Sequence, residues 1–168
     1  MTHPLLRAPL SAQARIATPL GTLTAWATER GLAALWFDDQ AHLIDGLRAP
    51  DDAANPHVLA AQDWLEAFWS RRPLPAVELD AQGTAFQQAV WRALSAIPAG
   101  QTCSYGAIAR AIGSPQAVRA VGGAIGRNPL SLIVPCHRVI GSDGTLTGYA
   151  GGLERKRRLL SHEGALPT

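Results

Sequence analysis

From Ile16 to Ala27, and again from Leu32 to Phe37, apolar and polar side chains alternate. The pattern predicts two strands on a half-buried sheet, with Glu29-Arg30-Gly31 as the turn between them. Residues before about Arg15 show no period and are expected to form a loosely held arm. Asp38 to Asp52 is polar, carries Gly46 and Pro50, and has room for a short extra element whose type the pattern does not assign. The period then changes. Asn55-Pro56 places a capping side chain before a proline at the first helical position. Val58, Leu59, Trp64, Leu65, Phe68 and Trp69 follow near helical spacing, so a helix is expected to about Ser70, its aromatic stripe facing a core. Arg71 to Pro75 breaks it, and Val77 to Leu79 is expected to add an edge strand.

A boundary near Asp80 to Gly83 divides the chain into 1–80 and 81–168. Thr84-Ala85-Phe86-Gln87 reads as a capping box, opening a helix to about Ser95 with Phe86, Val90 and Leu94 on one face. Ser104 can cap a short helix from Tyr105 to Ile112 that ends at Gly113. Ser114-Pro115 then starts another, reaching about Gly126 or Arg127. Two short helices joined this way predict a helix-turn-helix. The second is rich in small residues (Ala117, Ala120, Gly122, Gly123, Ala124, Gly126). The glycines lower its intrinsic stability, so one face must be required to stay small, either for helix packing or for close approach of a DNA backbone.

Leu132-Ile133-Val134 is apolar and β-branched and reads as a strand that Pro135 must stop. Cys136 and His137 would then sit where regular pairing ends. Gly141 to Gly144 is a turn, Thr145 to Thr147 returns from it, Gly148 to Gly152 is a loop, and a last helix runs from Leu153 to about His162.

Composition narrows the class. The 168 residues are 47% hydrophobic and 17% charged, which excludes extensive disorder, and 17.8 kDa suits two small domains. With no apolar run of membrane-spanning length and no signal-peptide pattern, a cytoplasmic protein is expected. Two cysteines, Cys103 and Cys136, cannot make a disulfide scaffold, and Cys103 reads as a small helix-entry residue. The net charge of +2 is unevenly spread. Through Asp80 six Arg face ten Asp or Glu, giving −4. From Ala81 nine Arg or Lys face three acids, giving +6. A basic second half is what a phosphate-binding module shows. Within it, Arg155-Lys156-Arg157-Arg158 reads as a solvated helix face.

A free thiol near neutrality is mostly protonated, so a nucleophilic Cys136 needs a base, and adjacent His137 is the candidate. On an extended backbone their side chains would point apart, and a water between them would restore the link. Zinc fails on ligand count, because no CxxC or HxxxH partner accompanies the pair, and no metal or cofactor is expected. A cysteine hydrolase would need an oxyanion hole and an acyl substrate that nothing in the sequence suggests.

Pro135-Cys136-His137-Arg138-Val139 resembles the active-site signature of the methylated-DNA–protein-cysteine methyltransferases. Five further segments, all in the family's order and spacing, join it: Ser104-Tyr105-Gly106, Arg119 to Ala124, Arg127-Asn128-Pro129, Gly148 to Gly152 and His162-Glu163-Gly164. The resemblance covers about the last half of the chain. It implies an RNase H-like α/β N-terminal domain, a small antiparallel sheet plus helix, followed by a mainly helical, winged-helix-like C-terminal domain. It implies irreversible transfer of the alkyl group of O6-alkylguanine in double-stranded DNA to Cys136, with O4-alkylthymine left open.

Of the residues, the resemblance makes Glu163 the group that orients His137 in a cysteine, water, histidine, glutamate relay. Tyr105 would protonate the leaving guanine, and Asn128 would hold the turns around the site. Pro135, Arg138, Val139, Tyr149 and Ala150 would line the base pocket. Arg119 would fill the space of a flipped-out nucleotide from the minor groove, with Ser104, Tyr105, Ala120, Gly122, Gly123 and Arg127 contacting DNA. A monomer is expected, with cooperativity on DNA left open. Two other classes fit parts of the pattern. A non-catalytic lesion binder would lack the cysteine, and a transcription regulator would bind specific sequences as a dimer.

Overall fold

A computed structural model of the chain describes residues 8–41, 44 and 46–166. It separates into two units. One runs to Asp38 and resumes up to Gln82, and the other takes a short segment from Asp39 together with everything from Gly83.

The first unit is built on an antiparallel meander, β1 (Ala12–Thr18), β2 (Gly21–Ala27) and β3 (Leu32–Phe37), covered by α1 (Pro56–Trp69). The expected strand from Ile16 to Ala27 is therefore a hairpin. It folds at Thr18-Pro19-Leu20-Gly21, where Thr18 Oγ1 donates to Gly21 O at 2.6 Å and Gly21 takes φ 119°. Alternation on both sides of that turn hid it. The expected arm is corrected as well. Ala12 to Ala14 pair with Ala25 to Ala27, and Ser11 N donates to Ala27 O at 2.8 Å, while residues 1–7 lie outside the described ones. Part of the unassigned polar stretch closes onto the same edge, where Gln13 N donates to Pro50 O and Asp52 N to Gln13 O.

Asn55 caps α1 with its side chain accepting from His57 N and Val58 N. Trp64 and Phe68 stack at 5.4 Å, as the aromatic periodicity predicts for a core face. Val77 to Leu79 makes an isolated parallel bridge from Leu79 to Leu32 rather than a strand. Gly31 is needed there, because a Cβ would lie 2.8 Å from Glu78 O.

The second unit packs α2 (Ala85–Ser95), α3 (Tyr105–Ala111) and α4 (Val118–Gly126) together, with α5 (Leu153–His162) against the turn that carries Cys136. The capping box at Thr84 and Gln87 is formed in both directions. Trp91 Nε1 donates to Ala124 O at 2.9 Å, fixing α2 on α4. The second motif helix starts later than Ser114-Pro115 suggests: residues 114–117 form a turn, and Ala117 caps α4 without a side-chain hydrogen bond. Cys103 does not enter a helix. It pairs with Val139, and Ser104 with Ile140, in a two-residue parallel ladder, β4 (Cys103–Ser104) beside β5 (Val139–Ile140). That ladder brings the start of α3 beside the segment leaving Cys136. Among the described residues no helix is long and apolar enough to cross a membrane.

Candidate active site

The run before Cys136 is not a strand. Leu130 to Val134 coils into a compact turn with Leu132 at φ 70°, a left-handed conformation that costs a leucine on the order of 1–3 kcal/mol. Burial of Leu132 and one side chain hold it. Asn128 Nδ2 donates to Val134 O at 2.8 Å and to Leu130 O at 3.4 Å, and its Oδ1 accepts from Leu130 N at 2.9 Å. This amide and the turn's own carbonyls, with Ile133 N on Ser131 O and Val134 N on Leu130 O, satisfy the backbone groups that a neighbouring strand would have paired, which is why the β-branched pattern misleads.

Pro135 then takes φ −82° and ψ 64°, with Cys136 N donating to Val134 O at 2.8 Å, an inverse γ-turn. Cys136, His137 and Arg138 form a single 3-10 turn. Their backbone is not extended, so the expectation that the thiol and imidazole diverge as on a strand does not apply.

Behind the thiol lies a buried charge network. His137 Nε2 lies 2.8 Å from Glu163 Oε1, with the imidazole fully buried and the Glu163 side chain 2% exposed. Arg138 binds the same carboxylate with Nη2 at 2.7 Å and Nε at 3.0 Å, while its Nη1 donates to Ile97 O at 2.7 Å. Burial would raise the Glu163 carboxyl, but hydrogen bonds from His137 and Arg138 outweigh it and hold the group at about 2. An ionised carboxylate can only accept, so Nε2 carries the imidazole proton and Nδ1 presents a lone pair. Burial pushes His137 down against the pull of Glu163, which keeps the ring neutral. Its Nδ1 is buried and makes no hydrogen bond within the described residues.

Burial likewise pushes the Cys136 thiol up, opposed by the Asn128 amide and the positive charge of Lys156. At rest the sulfur is therefore protonated, and the next residue along the chain carries a nitrogen with a free lone pair.

Cys136 opens on a cavity of about 330 Å³. Tyr105, Asn128, Tyr149 and Ala150 are on its wall, as are Gly122, Ile125 and Gly126 of α4. Gly122 and Gly126 lie one turn apart, and a Cβ added at Gly126 would meet nothing within 4 Å. On this face the small residues leave the space that is the cavity, a role neither sequence reading considered.

Tyr105 Oη donates toward Thr147 O at 3.0 Å and Gly148 O at 3.4 Å. Tyr149 Oη is buried without a hydrogen bond within the described residues, and burial raises its pKa well above the ordinary value.

Other expected residues fall elsewhere. Pro135, Val139 and Arg138 are buried but do not line the cavity, and Arg138 belongs to the charge network. Arg119 and Ala120 are exposed on the first turn of α4. Arg127 is exposed with Nη1 on Gly123 O at 3.2 Å, Gly123 is half-buried beneath it, and Ser104 caps α3 through Ala107 N.

The basic run of α5 is not a uniformly solvated face. Lys156 has no exposed surface, and its Nζ donates to the carbonyls of Val139, Thr147 and Gly148. Burial draws the ammonium down to about 8. Arg155 pairs with Asp39 at 2.8 Å, and Arg157 and Arg158 are exposed. Sequence reasoning missed Lys156, and helical spacing could have found it, since it lies three and four residues before the apolar Leu159 and Leu160. It missed Gln40 and Ala41 on the cavity wall as well, and their polar segment gave no periodic signal. Among the described residues no three His, Cys, Asp or Glu side chains group as metal ligands would.

Residues 85–165 match the family model described as 6-O-methylguanine DNA methyltransferase, DNA binding domain. A methylated-DNA–protein-cysteine methyltransferase of Salmonella typhimurium is 58% identical over 164 residues, covering 90% of this chain and 95% of that protein. One from Mycolicibacterium paratuberculosis is 61% identical over 148 residues, covering 87% and 88%. The crystal structure of Mycobacterium tuberculosis OGT in complex with DNA superposes with a TM-score of 0.82 at 46% identity, covering 92% of this chain and 93% of that one.

Proposed function

The chain belongs to the 6-O-methylguanine DNA methyltransferase family, and from that membership and the site's geometry we propose that it repairs DNA by moving the alkyl group of O6-alkylguanine onto its own Cys136. The observation that carries the reading is a buried thiol on the wall of a cavity, backed by a neutral imidazole whose outer nitrogen is held by a carboxylate. In the reaction the thiol proton passes to His137 Nδ1, and a bridging water is a partner of suitable size for that buried nitrogen. The resulting imidazolium is stabilised by Glu163, which Arg138 keeps ionised.

The sulfur attacks the O-linked carbon, an S–C bond forms and the C–O6 bond breaks. Negative charge developing on the guanine is met by a proton from Tyr105, whose hydroxyl turns from the Thr147 and Gly148 carbonyls toward the base. Asn128 keeps Cys136 in place through the turn it staples. The thioether product offers no carbonyl for water to attack, so each molecule acts once.

A base in a duplex cannot reach a buried sulfur, so the nucleotide flips out at a cost of a few kcal/mol. The α3–α4 pair approaches from the minor groove, Arg119 fills the vacated stack, and Ala120, Gly123 and Arg127 border the backbone. Finer descriptions of the two units as RNase H-like and winged-helix-like, a monomeric state and a cytoplasmic location belong to the same reading.

The test is covalent. After incubation with duplex DNA containing O6-methylguanine, the tryptic peptide holding Cys136 gains one methyl mass, and Cys136→Ala abolishes it. An unmodified wild-type peptide rejects the reading.

A further inference from the structure

Three consecutive residues from a region with no periodic signal are each fastened to a different part of the site. Asp39 accepts from Arg155 Nη1 at 2.8 Å, Gln40 Oε1 accepts from Ser131 Oγ at 3.3 Å, and Ala41 N donates to Ala150 O at 2.8 Å. Ser131 lies in the turn leading to Cys136, Ala150 in the glycine-rich loop, and Arg155 on α5. The segment is a strap across these three pieces, and both Gln40 and Ala41 form part of the cavity wall. Gln40 is 9% exposed. The Asp39 pair is largely solvated and holds weakly; the backbone bond at Ala41 and burial of Gln40 fix the strap.

We propose that this strap sets the size of alkyl group the protein accepts, with Gln40 as the specificity-determining residue. The proposal rests on the alkyl-transfer reading.

Displacement at carbon fixes where the sulfur, the transferred carbon and the departing oxygen must lie. Any further carbons of the alkyl group have to occupy what remains of about 330 Å³ once the base is in place. Most of that wall cannot yield: Gly122 and Gly126 are backbone of α4, Asn128 is spent on the turn, and Tyr105 is needed for the base. Gln40 is different. It lines the enclosure from a separate segment with its Oε1 on Ser131 Oγ, and truncation to alanine removes everything beyond Cβ, a volume comparable to the extra carbons of a butyl group. A methyl group needs none of that room.

Single-turnover alkylation of Cys136 is measured on duplexes carrying O6-methylguanine or O6-butylguanine, for wild type, Gln40→Ala and Ala41→Leu. A few methylenes in an apolar enclosure discriminate by about tenfold or more. The butyl-to-methyl rate ratio is therefore expected to rise about tenfold in Gln40→Ala and to fall by a similar factor in Ala41→Leu. Because the readout is a ratio, a general loss of rate does not imitate the effect. If Gln40→Ala does not fold, the Ala41→Leu ratio decides alone. A ratio within about twofold of wild type, including equal slowing on both substrates, overturns the strap's role. Failure of the wild type to take up even the methyl group sinks the underlying reading instead.

Discussion

Tyr105 and Lys156 donate to the same acceptor, Oη lying 3.0 Å and Nζ 2.8 Å from Thr147 O. The phenol on the cavity wall and a buried ammonium are thus coupled through one peptide group at the edge of the glycine-rich loop. Lys156 also reaches Val139, the residue on which the Cys136 turn closes, so one cation ties the loop to the reactive turn. An unpartnered carbonyl in such a place costs about 1–3 kcal/mol.

Replacing that cation by an isosteric apolar chain exposes both roles. Lys156→Met is expected to lose on the order of 1–3 kcal/mol in denaturant unfolding, because the buried Val139 carbonyl loses this donor while Thr147 O keeps Tyr105. Transfer to Cys136 is expected to slow at least about tenfold, since a positive charge that favours the thiolate is gone. Wild-type stability and rate in the variant would show that the ammonium is incidental.

The Glu163 network predicts a specific acid limb. A carboxyl held at about 2 in the folded chain, against an ordinary 4.5, contributes stability that is complete above 4.5 and is lost as pH falls from there toward 2. The contribution is on the order of 3 kcal/mol. Glu163→Gln should be less stable at pH 7, because Arg138 is left buried without its counter-charge, and should lack that limb when unfolding is followed from pH 6 to pH 3. Its alkyl transfer should slow while DNA binding persists. An unchanged acid limb in the variant would assign the stabilisation to other groups.

For Arg119 the expectation separates duplex from free base. Arg119→Ala should weaken repair of O6-methylguanine in double-stranded DNA by at least about tenfold. Reaction with the free modified base should stay within about twofold of wild type. Equal loss on both substrates would remove the residue from nucleotide extrusion and give it a structural part.

Much of the scaffold was readable in advance. Asn55-Pro56 and Thr84 with Gln87 announced their helices, and the aromatic spacing of α1 announced a core. The residues brought together at Cys136 were readable only through their likeness to a family, because His137 and Glu163 meet across 26 positions and no local period encodes that meeting. Where local pattern was trusted alone it failed for identifiable reasons. Leu132-Ile133-Val134 has the composition of a strand, but the Asn128 amide takes Val134 O and the Ile133 and Val134 N–H groups turn back onto Ser131 O and Leu130 O. Lys156 sits in a basic run, yet one helical face turns inward and three carbonyls take its charge. Gln40 and Ala41 belong to a polar stretch whose position depends on contacts remote in sequence.

Arg138 bridges Ile97 O, just past the end of α2, to the carboxylate that orients His137. Heat tolerance and reaction speed are therefore inherited together in this molecule. A change around residues 96–100 chosen to toughen the domain would be transmitted to the imidazole, and selection for a faster protein would act back on how well that helix end is secured.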